Sequence, residues 1–238
     1  MRRILIISIL FWNCIAQMQS KTYIVSVGVS DYPGTKEDLN NSANDAVTIK
    51  DLYEKSNLAD VVLLTNQSAT LSEVIAQMKA QFAKATKKDA IIFFFSGHGL
   101  PGGFICYDHI LPYKTINKVM AASPAKKKMV FADACYSGKA RKSNKRSNAR
   151  TDVNIMFFLS SRTDETSIEN KAWRNGFFTG YLERGLRGGA DSDNNRIITA
   201  SEIFQFVSQG VKEVTRDRQH PVMWGHFDND MPVITWKK

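Results

Sequence analysis

The chain has 238 residues, of which 43% are hydrophobic and 23% are charged, and its formal net charge is +9 at pH 7. This length and apolar content suit one α/β domain with a sizeable core and exclude a wholly disordered chain. Six basic residues and no acidic residue lie in the segment 139–150, so much of the positive charge belongs to one loop. This concentration argues against an extended nucleic-acid-binding surface.

The first 20 residues have the order of a secretory signal peptide: a basic start, an apolar run over 4–12, and a small, polar end. The apolar run is shorter than the roughly 20 residues that span a bilayer. We expect cleavage after Ala16 or Ser20, no stable membrane span afterwards, and a periplasmic or secreted protein. Cys14 also admits a lipoprotein anchor, although bulky side chains precede it. The remaining residues, 21–238, are predicted to form a single domain.

Strand and helix patterns alternate along the rest of the chain. In chain order they predict a strand at 23–29, a helix at 39–56, a strand at 61–65, a helix at 71–85, a strand ending at His98, a hairpin within 104–113, a helix at 115–122, a strand ending at Cys135, a strand at 154–160, helices at 177–186 and 201–214, and a closing strand at 221–224 or 233–236. This alternation predicts an α/β fold, a mostly parallel sheet with helices on both faces.

Two of the predicted strands end in small residues and one reactive side chain. The apolar run at 91–95 leads to His98, and the run at 129–132 leads to Cys135. Because ligands bind outside the carboxyl ends of strands in open α/β sheets, the imidazole and the thiol would meet there if these strands are neighbours. A thiol activated by an imidazole is a cysteine nucleophile, and the backbone N–H groups of Gly99 and Cys135 are natural oxyanion donors. This pattern predicts a cysteine peptidase.

The segments Ser96-Gly97-His98-Gly99 and Asp133-Ala134-Cys135-Tyr136-Ser137-Gly138 resemble the catalytic motifs of caspase-like peptidases, in the metacaspase and bacterial caspase-homologue branch. The segment Gly176-Phe177-Phe178-Thr179 is similar to the start of a late helix in that family. Caspases carry Gln where this chain has Asp133, and their histidine lies about 50 residues before the cysteine. Here the spacing is 37 residues.

The resemblance implies a caspase-like fold, an acyl-enzyme formed on Cys135, and proton transfer by His98. It also implies a substrate pocket made by Asp45, Ser96 and Asp133, which matches metacaspases that cleave after Arg or Lys. The expected partners are therefore proteins or peptides with basic residues. An unpaired buried carboxylate is costly, which favours a cationic partner for Asp133.

The basic loop at 139–150 matches the segment where family members are often divided. Its candidates for self-cleavage are all the basic residues that it contains: Lys139, Arg141, Lys142, Lys145, Arg146 and Arg150. The alternative is a solvated charged loop that is not cut.

Two further features concern cysteine and metal chemistry. Cys106 is expected to be a small buried residue, although export would also permit a disulfide with Cys135.

The loop residues Asp191, Asp193, Asn195 and Glu202 have the spacing of an EF-hand calcium loop, but Arg196 replaces its glycine. A turn followed by a helix cap explains the same pattern. The predicted dyad requires no cofactor, and calcium is left open.

The alternative to an enzyme is a non-catalytic caspase-like scaffold that uses its basic loop to bind a partner or a polyanion. The intact dyad and the confinement of charge to one loop favour the enzyme. A thiol oxidoreductase would require a Cys-x-x-Cys pair, which the sequence lacks.

Overall fold

The structure, a computed structural model, describes residues 20–55, 58–134, 154–162 and 173–236. The expected signal segment before Ser20, the predicted nucleophile Cys135 and the basic loop at 139–150 lie outside these ranges. Within the described residues, no helix has the length and apolar character needed to cross a bilayer.

The described residues form eleven strands and five α-helices. The strands, in chain order, are β1 (Thr22–Gly28), β2 (Ala59–Thr65), β3 (Ala90–Gly97), β4 (Gly99–Leu100), β5 (Gly103–Ile105), β6 (Ile110–Pro112), β7 (Lys127–Ala134), β8 (Ile155–Leu159), β9 (Ile197–Thr199), β10 (Val222–Gly225) and β11 (Pro232–Thr235). The helices are α1 (Ser42–Glu54), α2 (Leu71–Ala83), α3 (Tyr113–Ala122), α4 (Phe177–Arg184) and α5 (Ala200–Val214).

A six-stranded sheet in the order β10-β8-β7-β3-β1-β2 forms the centre of the fold. All its neighbours are parallel except β10, which runs antiparallel to β8. Strands β3 and β7 occupy the middle, and every residue of β3 is buried. Long apolar runs without alternation, such as Ile91 to Phe95, are what a strand covered on both faces requires. The predicted mostly parallel α/β fold is therefore confirmed.

Helices cover both faces of this sheet and create two hydrophobic cores. Residues of α2 and α3 pack with Phe93 and Phe95 on one face. Residues of α1, α4 and α5 pack with Ile92 and Phe94 on the other. Successive side chains of a strand point to opposite faces of the sheet, so the odd-numbered residues from 91 to 95 join one core and the even-numbered residues join the other.

The first helix begins later than the periodicity predicted. The segment Thr35–Glu37 forms a 3-10 turn, and α1 starts only at Ser42. Ser30 accounts for the difference, because its carbonyl accepts a hydrogen bond from the N–H of Leu39 and its hydroxyl accepts one from the N–H of Ala43. These bonds hold the intervening chain as a loop at the carboxyl end of β1.

Both candidates for the closing strand are strands. Strand β10 extends the central sheet, whereas β11 pairs with β9 in a separate two-stranded sheet. The sequence did not predict β9, since three residues are too few to display an alternation. The predicted hairpin is confirmed as β5 and β6, which join β4 in a third small sheet directly after His98.

Candidate active site

The two strands that precede His98 and Cys135 are neighbours. Strands β3 and β7 pair in parallel, with Ser96 opposite Asp133 and Gly97 opposite Ala134. His98 follows Gly97 directly, and Cys135 follows Ala134. The adjacency expected from the sequence is thus present up to the last described residue of β7, while Cys135 itself lies outside the described residues.

The loop between β1 and α1 contacts the His98 ring. The Nε2 atom lies 2.7 Å from the backbone carbonyl oxygen of Glu37. A carbonyl oxygen can only accept, so this contact requires Nε2 to carry the proton and leaves the neutral ring's lone pair on Nδ1. The Glu37 carboxylate is 3.9 Å away and 73% exposed, and such ion pairs contribute little. The His98 side chain is 25% exposed and can reach a ligand.

Tyr32, in the same loop, contacts the backbone of His98. The His98 N–H donates to the Tyr32 hydroxyl at 2.9 Å, and that hydroxyl donates to the Ile105 carbonyl at 3.1 Å. The two rings lie 4.9 Å apart, centroid to centroid. Burial raises the pKa of Tyr32 well above its usual value, more than the bond from His98 lowers it, so the hydroxyl stays protonated. The sequence alone indicated no functional role for this tyrosine.

Gly99, the predicted oxyanion donor, begins β4. The N–H of Ile105 donates to the carbonyl of His98 at 2.9 Å, and Gly99 lies opposite Phe104. Hydrogen-bonded and non-bonded pairs alternate along an antiparallel ladder, so Gly99 and Phe104 form a pair whose N–H groups point away from each other. The pairing of β4 with β5 therefore does not use the Gly99 N–H.

The three predicted pocket residues lie together on one face of the sheet. Ser96 and Asp133 follow Phe94 and Phe131 by two positions and share their face, the one covered by α1 and α4. Asp45 comes from the first turn of α1, and the Ser96 hydroxyl donates to its Oδ2 at 2.8 Å. Asp45 and Asp133 are only 1% and 7% exposed.

Donors from the segment before α4 surround the Asp45 carboxylate. Its Oδ1 accepts hydrogen bonds from the Asn175 side chain at 2.9 Å and from the Gly176 N–H at 3.0 Å. Burial, and next the negative charge of Asp133, raise the pKa of Asp45 well above its usual value, although these bonds oppose the shift. A buried carboxyl with a raised pKa beside another carboxyl is typical of functional sites.

The start of α4 also contacts Asp133. Thr179 donates to Asp133 Oδ2 from its backbone N–H at 3.2 Å and from its hydroxyl at 3.0 Å. A Cβ on Gly176 would collide with Asp133 Oδ2 and lie 3.3 Å from Asp45 Oδ2. Glycine at 176 therefore lets the two carboxylates approach the same point. The motif containing Gly176 and Thr179 was visible in the sequence, but its contact with the acids was not.

Cys106 is buried and free, as predicted. Burial, aided by the charge of Asp108, raises the pKa of its thiol to about 12. A thiol of this kind is protonated at neutral pH and inert as a nucleophile.

The structure brings the carboxylates of Asp191, Asp193 and Glu202 together, with one oxygen of each within 4.8 Å of the others. Glu202 is also the reciprocal partner of Thr199 in the capping box of α5. Its other oxygen accepts bonds from the N–H and hydroxyl of Ser192. Asn195 lies beside this group, donating to Asp191 and Asp193 from its N–H. These contacts match the turn-and-cap interpretation of the sequence.

The sequence model of the caspase domain matches residues 22–231. The chain belongs to the caspase-domain family. Membership implies cysteine peptidase activity in general and protein substrates.

Two solved structures share this fold at low sequence identity. A crystal structure of a Geobacter sulfurreducens protein superposes with a TM-score of 0.70 at 16% identity, covering 91% of this chain and 100% of that chain. Caspase-1 from Spodoptera frugiperda gives a TM-score of 0.66 at 13% identity, with 90% of each chain covered. No curated protein sequence matches the chain.

Proposed function

We propose that this caspase-family chain is an exported, metacaspase-like cysteine endopeptidase that cleaves after Arg or Lys. One observation carries the specificity: two buried carboxylates, Asp45 and Asp133, meet beside Ser96 at the edge where β3 and β7 end. A guanidinium or ammonium placed there would gain charge-assisted hydrogen bonds, each contributing about 1.5–3 kcal/mol. An acidic side chain would instead meet the negative charge of Asp133, the same charge that raises the pKa of Asp45.

In the proposed reaction, His98 Nδ1 takes the proton of the Cys135 thiol. The thiolate attacks the scissile carbonyl carbon, and the N–H groups of Gly99 and Cys135 stabilise the oxyanion. The imidazolium then gives its proton to the leaving amine, and water hydrolyses the thioester. The Glu37 carbonyl supports this role because it keeps the ring proton on Nε2. The steps require no metal and no organic cofactor.

The decisive experiment scans fluorogenic peptides that differ only in the residue before the scissile bond, using the chain without residues 1–20. We expect cleavage after Arg and Lys and none after Asp. Cys135→Ala and His98→Ala should each abolish turnover, and the double variant should be little worse because the two act as one unit. Cys106→Ala is the matched control, since its thiol is buried and protonated, and it should retain full activity.

Three results would contradict the proposal. Cleavage restricted to acidic residues would remove the role of the two carboxylates. Equal damage from Cys106→Ala and Cys135→Ala would point to another nucleophile or a disulfide. A folded wild type that neither cuts any peptide nor reacts with an arginyl covalent inhibitor would support the non-catalytic scaffold.

A further inference from the structure

We propose that Tyr32 is a positioning residue that fixes the backbone of His98 and, through it, the imidazole. This inference rests on the proposed peptidase function, because it assigns a role within the same Cys135–His98 pair. It adds a side chain from the loop after β1 to the machinery built on β3 and β7.

The Tyr32 hydroxyl takes the place of a strand-to-strand hydrogen bond. In a regular antiparallel ladder, a hydrogen-bonded pair exchanges two N–H···O bonds. His98 and Ile105 form one of them directly, from the Ile105 N–H to the His98 carbonyl at 2.9 Å. The other is relayed: the His98 N–H donates to Tyr32 Oη, and Tyr32 Oη donates to the Ile105 carbonyl. The ladder is thus opened at His98 by the width of one hydroxyl.

The hydroxyl is confined where it stands. Tyr32 is only 6% exposed, and an added Cβ on Gly97 would lie 2.7 Å from its oxygen. Glycine at 97 therefore leaves the space that Tyr32 Oη occupies between β3 and β5. The N–H of Tyr32 donates to the Asp38 carboxylate at 3.1 Å, which holds the loop from its other end.

Two contacts from one loop then define the orientation of His98. Tyr32 fixes the backbone N–H, and the Glu37 carbonyl fixes Nε2 of the ring. With the main chain and the far ring nitrogen both held, Nδ1 keeps one direction relative to the end of β7. Small displacements of a catalytic group are costly, since a misplacement of about 1 Å can lower a rate about 100-fold.

The test compares Tyr32→Phe with Tyr113→Phe. Tyr113 is also buried, and its hydroxyl donates to a backbone carbonyl, that of Leu100, in the same small sheet. Only Tyr32 also accepts the His98 N–H, so the pair of variants isolates that bond. We expect Tyr32→Phe to lower kcat about tenfold, with KM nearly unchanged, by the loss of geometry and not of binding. Tyr113→Phe should keep the wild-type kcat.

A second readout does not depend on peptide turnover. The rate of Cys135 alkylation by iodoacetamide, followed against pH by intact mass, reports how well His98 supports the thiolate. We expect a rate about tenfold lower for Tyr32→Phe, with its pH dependence shifted towards that of a simple thiol. Incorporating 3-fluorotyrosine at position 32 keeps the hydroxyl and the fold but weakens the acceptor, and it should give an intermediate rate.

The outcomes separate the two proposals. Wild-type alkylation kinetics in the Tyr32 variants, or equal losses in Tyr113→Phe, would overturn the positioning role even if the protein cleaves after Arg or Lys. A clear effect of Tyr32 on alkylation in a protein that cleaves no peptide would uphold positioning and overturn the proposed function. Thermal melts of each variant confirm that folded protein is compared.

Discussion

At the residue scale, Asp45 is unusual because its carboxyl group is buried in the core next to a second carboxyl group, that of Asp133. Burial and then the Asp133 charge raise its pKa in the folded protein. The folded state thus retains a proton that the unfolded chain releases near the ordinary value of about 3.9. The stability from this group is complete below the unfolded pKa and is lost as the pH rises through the folded pKa.

We therefore predict that Asp45→Asn changes the pH dependence of stability. The free energy of unfolding of the variant, minus that of wild type, should increase as the pH is raised from about 4 towards 8, because the variant has no proton to lose there. Urea unfolding at several pH values measures this difference. At low pH the variant is expected to differ from wild type in its free energy of unfolding for another reason. An amide cannot accept every hydrogen bond that Asp45 accepts from Ser96, Asn175 and Gly176, so only the change of this difference with pH tests the prediction.

Asp89 provides the control of opposite sign. Burial tends to raise the pKa of this carboxyl, but bonds from the N–H of Lys21 and from Thr86, with the charge of Lys127, lower it overall. Its contribution is present above the unfolded pKa and lost as the pH falls, so Asp89→Asn should lose stability relative to wild type as the pH rises. Parallel profiles for wild type and Asp45→Asn would contradict the raised pKa.

At the element scale, α5 depends on a reciprocal cap at its first turn. The Thr199 hydroxyl accepts a bond from the N–H of Glu202, and the Glu202 carboxylate accepts bonds from the N–H and hydroxyl of Thr199. The cap also joins the helix to the loop at 191–196 through Ser192. This cap supports a helix that buries Ile203, Val207 and Val211 in the core shared with α4.

We predict that Thr199→Ala lowers the free energy of unfolding by about 1 kcal/mol, the usual cost of losing such a cap. Thr70→Ala is the matched control: Thr70 accepts the N–H of Glu73 at α2, where no reciprocal bond is present in the described residues, and its loss should be smaller. Thermal or urea unfolding measures both. An equal loss at the two caps would show that the reciprocal bond contributes nothing.

Thermal unfolding also tests whether the loop at 191–196 binds calcium. If the acidic side chains serve only as turn and cap, adding calcium or a chelator should leave the melting temperature of wild type unchanged. A rise in melting temperature with calcium that Glu202→Gln removes would favour the EF-hand interpretation, because a ligand that binds only the folded state stabilises it.

Most elements could be predicted from sequence because their signals are local. The run Ile91 to Phe95 indicates a doubly covered strand, and the chemistry at its end is visible in the next three residues. The pocket acids were found only through the resemblance, since Asp45 and Asp133 are 88 positions apart and no local pattern joins them. The contacts of Tyr32 and Glu37 with His98 were missed because they depend on how the loop after β1 folds against β3. Tyr32 uses its hydroxyl and Glu37 its backbone carbonyl, and neither leaves a pattern in the sequence.

At the scale of the whole molecule, the basic loop joins strands that lie side by side. Strand β7 ends at Ala134, and β8 begins at Ile155 and pairs with β7 in parallel. The loop at 139–150, outside the described residues, belongs to the connection between them. A cut there would divide the central sheet into a piece with β1, β2, β3 and β7 and a piece with β8 and β10. The β7–β8 ladder and both cores would hold the two pieces together.

We predict that the enzyme cuts itself within 139–150, after a Lys or an Arg. Intact-mass measurement should find two fragments of wild type that co-elute under native conditions, because the shared sheet holds them. Cys135→Ala, produced and stored in the same way, should remain whole. Fragments from both proteins would indicate a contaminating protease, and an active but uncut wild type would remove self-processing from the proposed function.

Successive side chains of β7 point to opposite faces of the sheet, and this alternation limits where the chain can tolerate the insertion or deletion of a single residue. Met129, Phe131 and Asp133 share the face of α1 and α4, and Val130, Ala132 and Ala134 share the other. Deleting one codon within 129–132 would carry Asp133 across the sheet, away from Asp45, and would turn apolar side chains out of their cores. A deletion of the same size within 139–150 would leave the described residues of β7 and β8 in their present register. Functional sequences should therefore contain in-frame insertions and deletions within 139–150 but lack them in β7, which lies less than ten residues before that segment.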